Sequence, residues 1–221
     1  IPSETFVQHS IDICRFPWLR RLAVAYALNY NSLAPFLAGD PSTPEAWRKA
    51  ITRRLILRPP SAFVEVLAAQ QQSRGAPSES LAATEKLGRP DTVAIVTGQQ
   101  AGLFGGPLFT LLKAVTAIKL ARRLSQEQSV PAVAVFWVDA EDHDWNEVAS
   151  CAVLDADWQG RRVVLEPPPG AGEMPVGSLK LGDGSSTAVD AMTNALPPSE
   201  FTATILNDLR RTYQSGTTMS K

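Results

Sequence analysis

Two short apolar runs, Thr92–Thr97 (TVAIVT) and Ala132–Val138 (AVAVFWV), frame a glycine-rich loop and one long apolar-rich segment, and that order admits few folds. Each run is continuous and bounded by turn residues, the pattern of a strand covered on both faces. Pro107 opens the segment between them, PLFTLLKAVTAIKLARRL, whose polar positions Thr110, Lys113, Thr116, Lys119 and Arg123 form one narrow stripe. Apart from Arg122, everything else in it is apolar, so this helix is expected to be largely buried. Strand, helix, strand is a βαβ unit, which crosses over right-handed into a parallel sheet. A single unit is a small share of a doubly wound sheet, which needs more parallel strands to cover both faces. The chain ends in GTTMSK with no further apolar strand, so the core is expected to be incomplete and the chain a fragment of a longer protein.

The flanks carry weaker signals. Residues 1–90 read as a small helical region. It has a helix over Pro17–Leu28, and a second from Pro44 with Thr43 as N-cap and Pro59-Pro60 as its stop. A third helix starts at Ser61 and closes at Gly75 and Pro77; a fourth is capped by Ser78 and stopped by Gly88. Residues 91–221 read as the N-terminal part of the sheet-containing core, truncated. Beyond Val148, Ala149–Leu154, Arg161–Leu165 and Gly177–Leu181 read as short strands, and Thr187–Leu196 and Ser199–Tyr213 as helices.

Composition narrows the function classes. With 44% hydrophobic and 19% charged residues among 221, the chain is globular rather than disordered. Its 21 basic and 22 acidic residues leave a net charge of −1, so no basic field points to nucleic acid or an anionic membrane as a partner. Charged residues break every apolar stretch well short of the ~20 residues a membrane helix needs. The start, Ile1-Pro2-Ser3-Glu4, has neither the basic nor the apolar region of a signal peptide, and its lack of Met suggests that it is not the native start. Cys14 and Cys151 have no CxxC spacing, so they read as two reduced thiols of a cytoplasmic protein rather than a disulfide or zinc framework.

Two segments carry chemistry. The first is Thr97-Gly98-Gln99-Gln100-Ala101-Gly102-Leu103-Phe104-Gly105-Gly106-Pro107. Gly98, Gly102, Gly105 and Gly106 allow close backbone approach and positive φ. The helix N-terminus that follows offers N–H groups to a phosphate or carboxylate, with Gln99, Gln100 and Lys113 as further contacts. The spacing is neither GxGxxG nor GxxxxGK[ST], and a tight packing turn is the plainer alternative. The second segment is Asp139-Ala140-Glu141-Asp142-His143-Asp144-Trp145-Asn146-Glu147, at the carboxyl end of the second strand, where open α/β sheets bind ligands. His143 between Asp142 and Asp144, with Glu141 beside them, suits general acid–base work near neutral pH. A carboxylate pair there could instead hold Mg²⁺ through waters, and a solvated acidic helix start is the plainer alternative. An EF-hand fails, because Glu147 stands where Gly is needed and Val153 where the closing Glu is needed. His9, the only other histidine, reads as inert, so no two-histidine metal site is expected.

Together the two segments resemble the cysteine-adding enzymes of bacillithiol biosynthesis, the BshC family of cysteine ligases. That family carries a TGQQ-x-GL-x-x-GP loop, a following helix with Lys, and a second strand ending in FW-x-x-x-EDHD-x-x-E. The chain matches at Gly98, Gln99, Gln100, Gly102, Leu103, Gly106, Pro107, Lys113, Phe136, Trp137, Glu141, Asp142, His143, Asp144 and Glu147. Weaker similarity extends to LAPFLAGDP upstream and to MPVGSLKLG and LRRTYQSGTTMS downstream. Some members carry His just before the helix Lys; Leu112 stands there here, so that position is assigned no role.

The resemblance implies a Rossmann-like core with inserts and, in a part this chain lacks, a coiled coil that supports homodimers. It implies a full chain roughly twice this length, divided into several domains. The implied reaction is the last step in making the low-molecular-weight thiol bacillithiol: addition of L-cysteine to glucosaminyl malate. Making that amide needs an activated carboxyl, so ATP is a candidate cosubstrate from bond chemistry alone. His143, Asp142, Asp144 and Glu141 are the catalytic candidates. Gly98, Gln99, Gln100, Gly102, Gly105, Gly106 and Lys113 are the substrate-binding ones. Two alternatives stay open: a nucleotide- or sugar-acid-binding module without catalysis, and a metal-dependent phosphotransferase. The fragment need not be active alone.

Overall fold

A computed structural model describes residues 10–55 and 61–220; His9 and the Pro59-Pro60 pair lie outside them. Contacts divide the chain into two compact units, residues 1–57 and 58–221. The first holds α1 (Arg21–Leu28) and α2 (Pro44–Leu55), neither with a buried residue. Thr43 caps α2 as its position predicts, its Oγ1 accepting the Ala46 N–H at 3.4 Å. The indole of Trp47 donates back to the Pro41 carbonyl at 2.8 Å.

The second unit opens with α3 (Ser61–Ser73) and α4 (Ser78–Leu87), which pack on each other. It continues through β1 (Val93–Gln100), α5 (Leu108–Glu127) and β2 (Ala132–Asp139). The boundary drawn at residue 90 thus falls inside this unit, between α4 and β1. After β2 come the single turn α6 (Trp145–Val148), β3 (Ser150–Leu154), β4 (Gly160–Val164), α7 (Gly184–Ala195) and α8 (Thr202–Thr212). Strands β1 and β2 pair in parallel with α5 as their crossover, and α5 packs on both. This is the α/β, Rossmann-like arrangement, reduced to one parallel pair among the described residues. No described helix is long and apolar enough to cross a membrane.

Three expectations need correction. First, β1 does not stop at Thr97. Its ladder runs on through Gly98↔Trp137, Gln99↔Val138 and Gln100↔Asp139, so the paired glutamines stand on a strand and not in the loop. Gly98 permits this, because a Cβ there would lie 2.5 Å from the Trp137 carbonyl oxygen and 2.9 Å from its Cβ.

Second, α5 is not largely buried. Ala117, Ala121 and Leu124 are buried, a stripe at helical spacing, whereas Leu108, Leu111 and Leu112 are 72%, 60% and 56% exposed. Two strands cover only a narrow strip of a helix.

Third, Gly177–Leu181 is not a strand. Val176–Ser178 forms a 3₁₀ turn, and Lys180 makes one isolated bridge to Thr218. The N–H groups of Val176 and Gly177 go to the carbonyls of Asp142 and Ala140, at 2.8 and 2.7 Å, and so are not free for a sheet ladder.

The expected strands at Ala149–Leu154 and Arg161–Leu165 form the antiparallel hairpin β3–β4. The main core lies beyond the βαβ unit: Leu103, Trp145, Val148, Val163, Leu165, Val176, Leu179, Met192 and Leu206 share one cluster. The glycine loop, the tip after β2, the hairpin and the last helices are thus anchored in one apolar body, so the tip is held from behind.

Gly98→Ala forces backbone against backbone at the β1–β2 pair. It should destabilise the protein by about 1–3 kcal/mol, as overpacking does, read as a lowered urea midpoint with unchanged slope.

Candidate functional site

Parallel pairing leaves both strand ends at one edge. Gln100 faces Asp139 in register, and the Ala101 N–H donates to the Asp139 carbonyl at 3.0 Å, so the glycine loop and the acidic tip depart side by side. Hydrogen bonds order the singled-out residues of each segment at that shared edge. Lys113 Nζ reaches from α5 to the Gly98 carbonyl at 3.1 Å and to Gln99 Oε1 at 2.8 Å. Its ammonium lies 5.3 Å from the centre of the Phe109 ring. Gln99 Nε2 donates to Gln100 Oε1 at 2.6 Å, and the Gln100 amide lies on the side of the Asp142 carboxylate, where it favours the charged form. Asp142 Oδ1 accepts the N–H groups of His143 at 2.6 Å and Asp144 at 3.2 Å. Those backbone donors, Asp144 first and His143 second, hold the Asp142 carboxyl below its ordinary range against the opposing effect of desolvation; Gln100 and the charge of His143 add to them.

The carboxylates divide into two kinds. Asp144 caps α6, its Oδ1 accepting the Glu147 N–H at 3.2 Å, and Asp139 Oδ1 accepts the Glu141 N–H at 3.4 Å. With Asp142 these three shape the tip through its own backbone. Glu141, His143 and Glu147 are exposed, and among the described residues the His143 imidazole makes no hydrogen bond. No group of three or more His, Cys, Asp or Glu among the described residues is arranged to hold a metal ion. Gly177 backs the tip: a Cβ there would lie 2.7 Å from that of Ala140. Sequence reasoning missed Gly177, for which the glycine itself inside MPVGSLKLG was the only local signal.

The glycine loop folds chiefly on itself. Gly102 and Gly106 lie so close that a Cβ on the first would be 2.8 Å from the Cα of the second. Gly105 and Gly106 have φ of +88° and +76°, and Phe104 shares the left-handed region at +54°. The N–H groups of Ala101, Gly102, Phe104, Gly105 and Gly106 go to the Asp139 carbonyl, the Gln100 carbonyl, the Tyr213 hydroxyl, the Gly102 carbonyl and the Leu103 carbonyl. They therefore serve the loop's own shape. The donors left for a ligand are those that open α5, at Leu108 and Phe109, which have no partner within the helix. Pro107, the N-cap, offers them no side-chain bond.

Tyr213 is a second residue missed from sequence. Its hydroxyl accepts the Phe104 N–H at 2.6 Å, its ring meets that of Phe104 edge-on at 4.8 Å, and burial pushes its pKa up. It lies 109 residues from its partner, beyond the reach of any local pattern.

A family profile described as "Bacillithiol biosynthesis BshC, N-terminal Rossmann-like domain" matches residues 10–221. Among curated proteins, one from Salinibacter ruber named "Putative cysteine ligase BshC" is 38% identical over 200 residues, covering 89% of this chain and 36% of that protein. Proteins of the same name from Symbiobacterium thermophilum and Solibacter usitatus are 36% identical over 156 residues and 42% over 139. Those matches cover 71% and 63% of this chain, and 28% and 25% of the relatives. The matched stretch thus spans little more than a third of the longest-matched relative.

Tyr213→Phe leaves the Phe104 N–H without its acceptor. It should cost about 1–3 kcal/mol, with faster amide exchange at Phe104 as the specific readout. Asp142 adds a pH dependence. Its carboxyl is lowered in the fold, so its support for the tip is complete above the ordinary value of 3.8 and is lost as pH falls through the lowered value. Exchange at the His143 and Asp144 amides should therefore accelerate on acidification below that range, and Asp142→Asn should flatten the response.

Proposed function

The chain belongs to the BshC family of bacillithiol biosynthesis, in its N-terminal Rossmann-like domain, and we propose that it supplies the reacting centre of a ligase joining L-cysteine to glucosaminyl malate, the last step of that synthesis. The observation that carries the reading is the hydrogen-bonded run from Lys113 through Gln99 to Gln100, which stands in register with Asp139 at the root of the tip that exposes His143.

The bond to be made is an amide. The cysteine carboxyl is first activated as an acyl phosphate or acyl adenylate, with ATP as cosubstrate. The sugar amine then attacks the acyl carbon, and the carbon–oxygen bond to phosphate or AMP breaks. The attacking nitrogen carries a proton that must leave. His143 takes it, as an exposed imidazole at the tip that Asp142 and Asp144 hold in place through its flanking backbone. Lys113 has three N–H donors, two of them directed at Gly98 and Gln99; the third, with the N–H groups opening α5, holds the phosphate or carboxylate of a substrate. Gln99 and Gln100 extend that anion site toward the root of the acidic tip.

In this reading the four catalytic candidates have different duties, which the division of carboxylates supports. Asp142 and Asp144 position the tip, and Glu141 and His143 face the substrate side. A second reading, binding of the same substrates without bond formation by this portion, is favoured by one observation: the matched stretch leaves most of each relative's length outside it. Homodimer formation and a cytoplasmic setting belong to the proposal for the whole protein.

In the full-length protein, His143→Ala should lower turnover of cysteine and glucosaminyl malate by about 10²–10⁴-fold with the fold intact. Unchanged turnover would remove His143 from the acid–base role, and tight substrate binding with no bond formation in the wild type would select the binding module.

A further inference from the structure

We propose that the outer face of the β3–β4 hairpin, with the tip opposite it, forms a carboxylate-binding subsite anchored by Arg162. Strand alternation creates the face. Cys151, Val153, Val163 and Leu165 turn to the core, which leaves Ser150, Arg162 and Val164 on the other side. That side and the tip bound a cleft of about 640 Å³, lined among others by His143, Trp145, Asn146, Ser150 and Arg162. The volume is in the range of small-molecule sites.

The charge in the cleft is what identifies the ligand. The two arginines of β4 differ. Arg161 is paired with Asp155 across the hairpin turn, Nε to Oδ2 at 2.6 Å. Arg162 has no ion pair among the described residues, and one of its nitrogens, Nη2, donates to Ser150 Oγ at 3.1 Å. A guanidinium has five N–H donors in a planar fork, so most of Arg162's remain for a ligand. The fork matches a carboxylate by two parallel bonds, and Asn146 adds an amide across the cleft. Asp144 also lines the cleft, engaged as the α6 cap. Its negative charge disfavours a phosphate, which concentrates up to two charges on one group, relative to a carboxylate group, which carries one. The apolar walls, Trp145 and Val164 among them, suit a carbon skeleton.

Within the ligase reading, on which this last assignment rests, a carboxylate gripped by a guanidinium is not the one activated and consumed. The subsite therefore holds the malyl end of the acceptor, beside His143. Arg162 is then a substrate-binding residue that sequence reasoning did not select.

Calorimetric titration of the full-length protein with L-malate, its uncharged diamide and inorganic phosphate tests the subsite without any turnover. L-Malate should bind, and the diamide and phosphate should bind at least tenfold more weakly. Arg162→Gln should weaken L-malate roughly 10- to 100-fold, the range of a lost charge-assisted hydrogen-bonded pair. Arg162→Lys, which keeps the charge without the fork, should also weaken it. Arg161→Gln, on the neighbouring residue paired to the turn, should not. Urea midpoints confirm that each variant is folded, and if Arg162→Gln is not, Arg162→Lys decides. Absence of L-malate binding, equal affinity in the Arg162 variants, or phosphate binding as tightly as L-malate would each overturn the subsite. The ligase assay is a separate arm. Arg162-dependent L-malate binding without amide formation sinks the ligase reading and keeps the subsite, and amide formation with L-malate affinity indifferent to Arg162 does the reverse.

Discussion

The close parallel pairing of β1 and β2 at their carboxyl ends is the constraint on which the site depends. Trp137 sits directly against Gly98, and no side chain fits between them. The pairing therefore runs to Gln100 and Asp139, three residues further than the apolar pattern alone suggests. Those three residues bring the glutamines level with the acidic tip. A ladder that ended at Thr97 would release them into a loop, and the bonds from Lys113 through Gln99 to Gln100 would have no fixed geometry.

The tip shows how a run of charge becomes a shaped object. Asp139, Asp142 and Asp144 each accept a backbone N–H within one to three residues, so their charge is used locally, as helix caps and tight turns use it. The 176–177 segment closes on the tip from behind through two backbone hydrogen bonds. What remains outward with no backbone hydrogen bond of its own is small: one imidazole, two glutamates and the Asn146 amide. This selection is physically reasonable, because a loop that carried five unsatisfied carboxylates would repel itself, whereas three satisfied ones give His143 a fixed platform.

Much of this architecture was legible in the sequence. The βαβ order, the Thr43 cap and the hairpin strands follow from local periodicity and local chemistry, whereas Ser78, expected to cap α4, stands inside it with Pro77 at the cap position. The exposure of α5 was not legible. An apolar helix declares that something covers it, but not whether that cover lies in the described residues, and here two strands reach only Ala117, Ala121 and Leu124. Nor was the closure of the glycine loop on itself legible. Four glycines permit a phosphate cradle or a tight turn equally, and the outcome depended on Tyr213, far along the chain.

By itself the sequence determined the βαβ order, the hairpin strands and most of the helices, because each of these is settled by neighbours within a few residues. Only the tertiary structure decided why Gly177 must be glycine, how the glycine loop meets Tyr213, and why Arg162 rather than Arg161 faces the cleft without an ion pair. Those outcomes turn on groups distant in sequence meeting in space, where a hydrogen bond made or left unmade assigns each side chain its role.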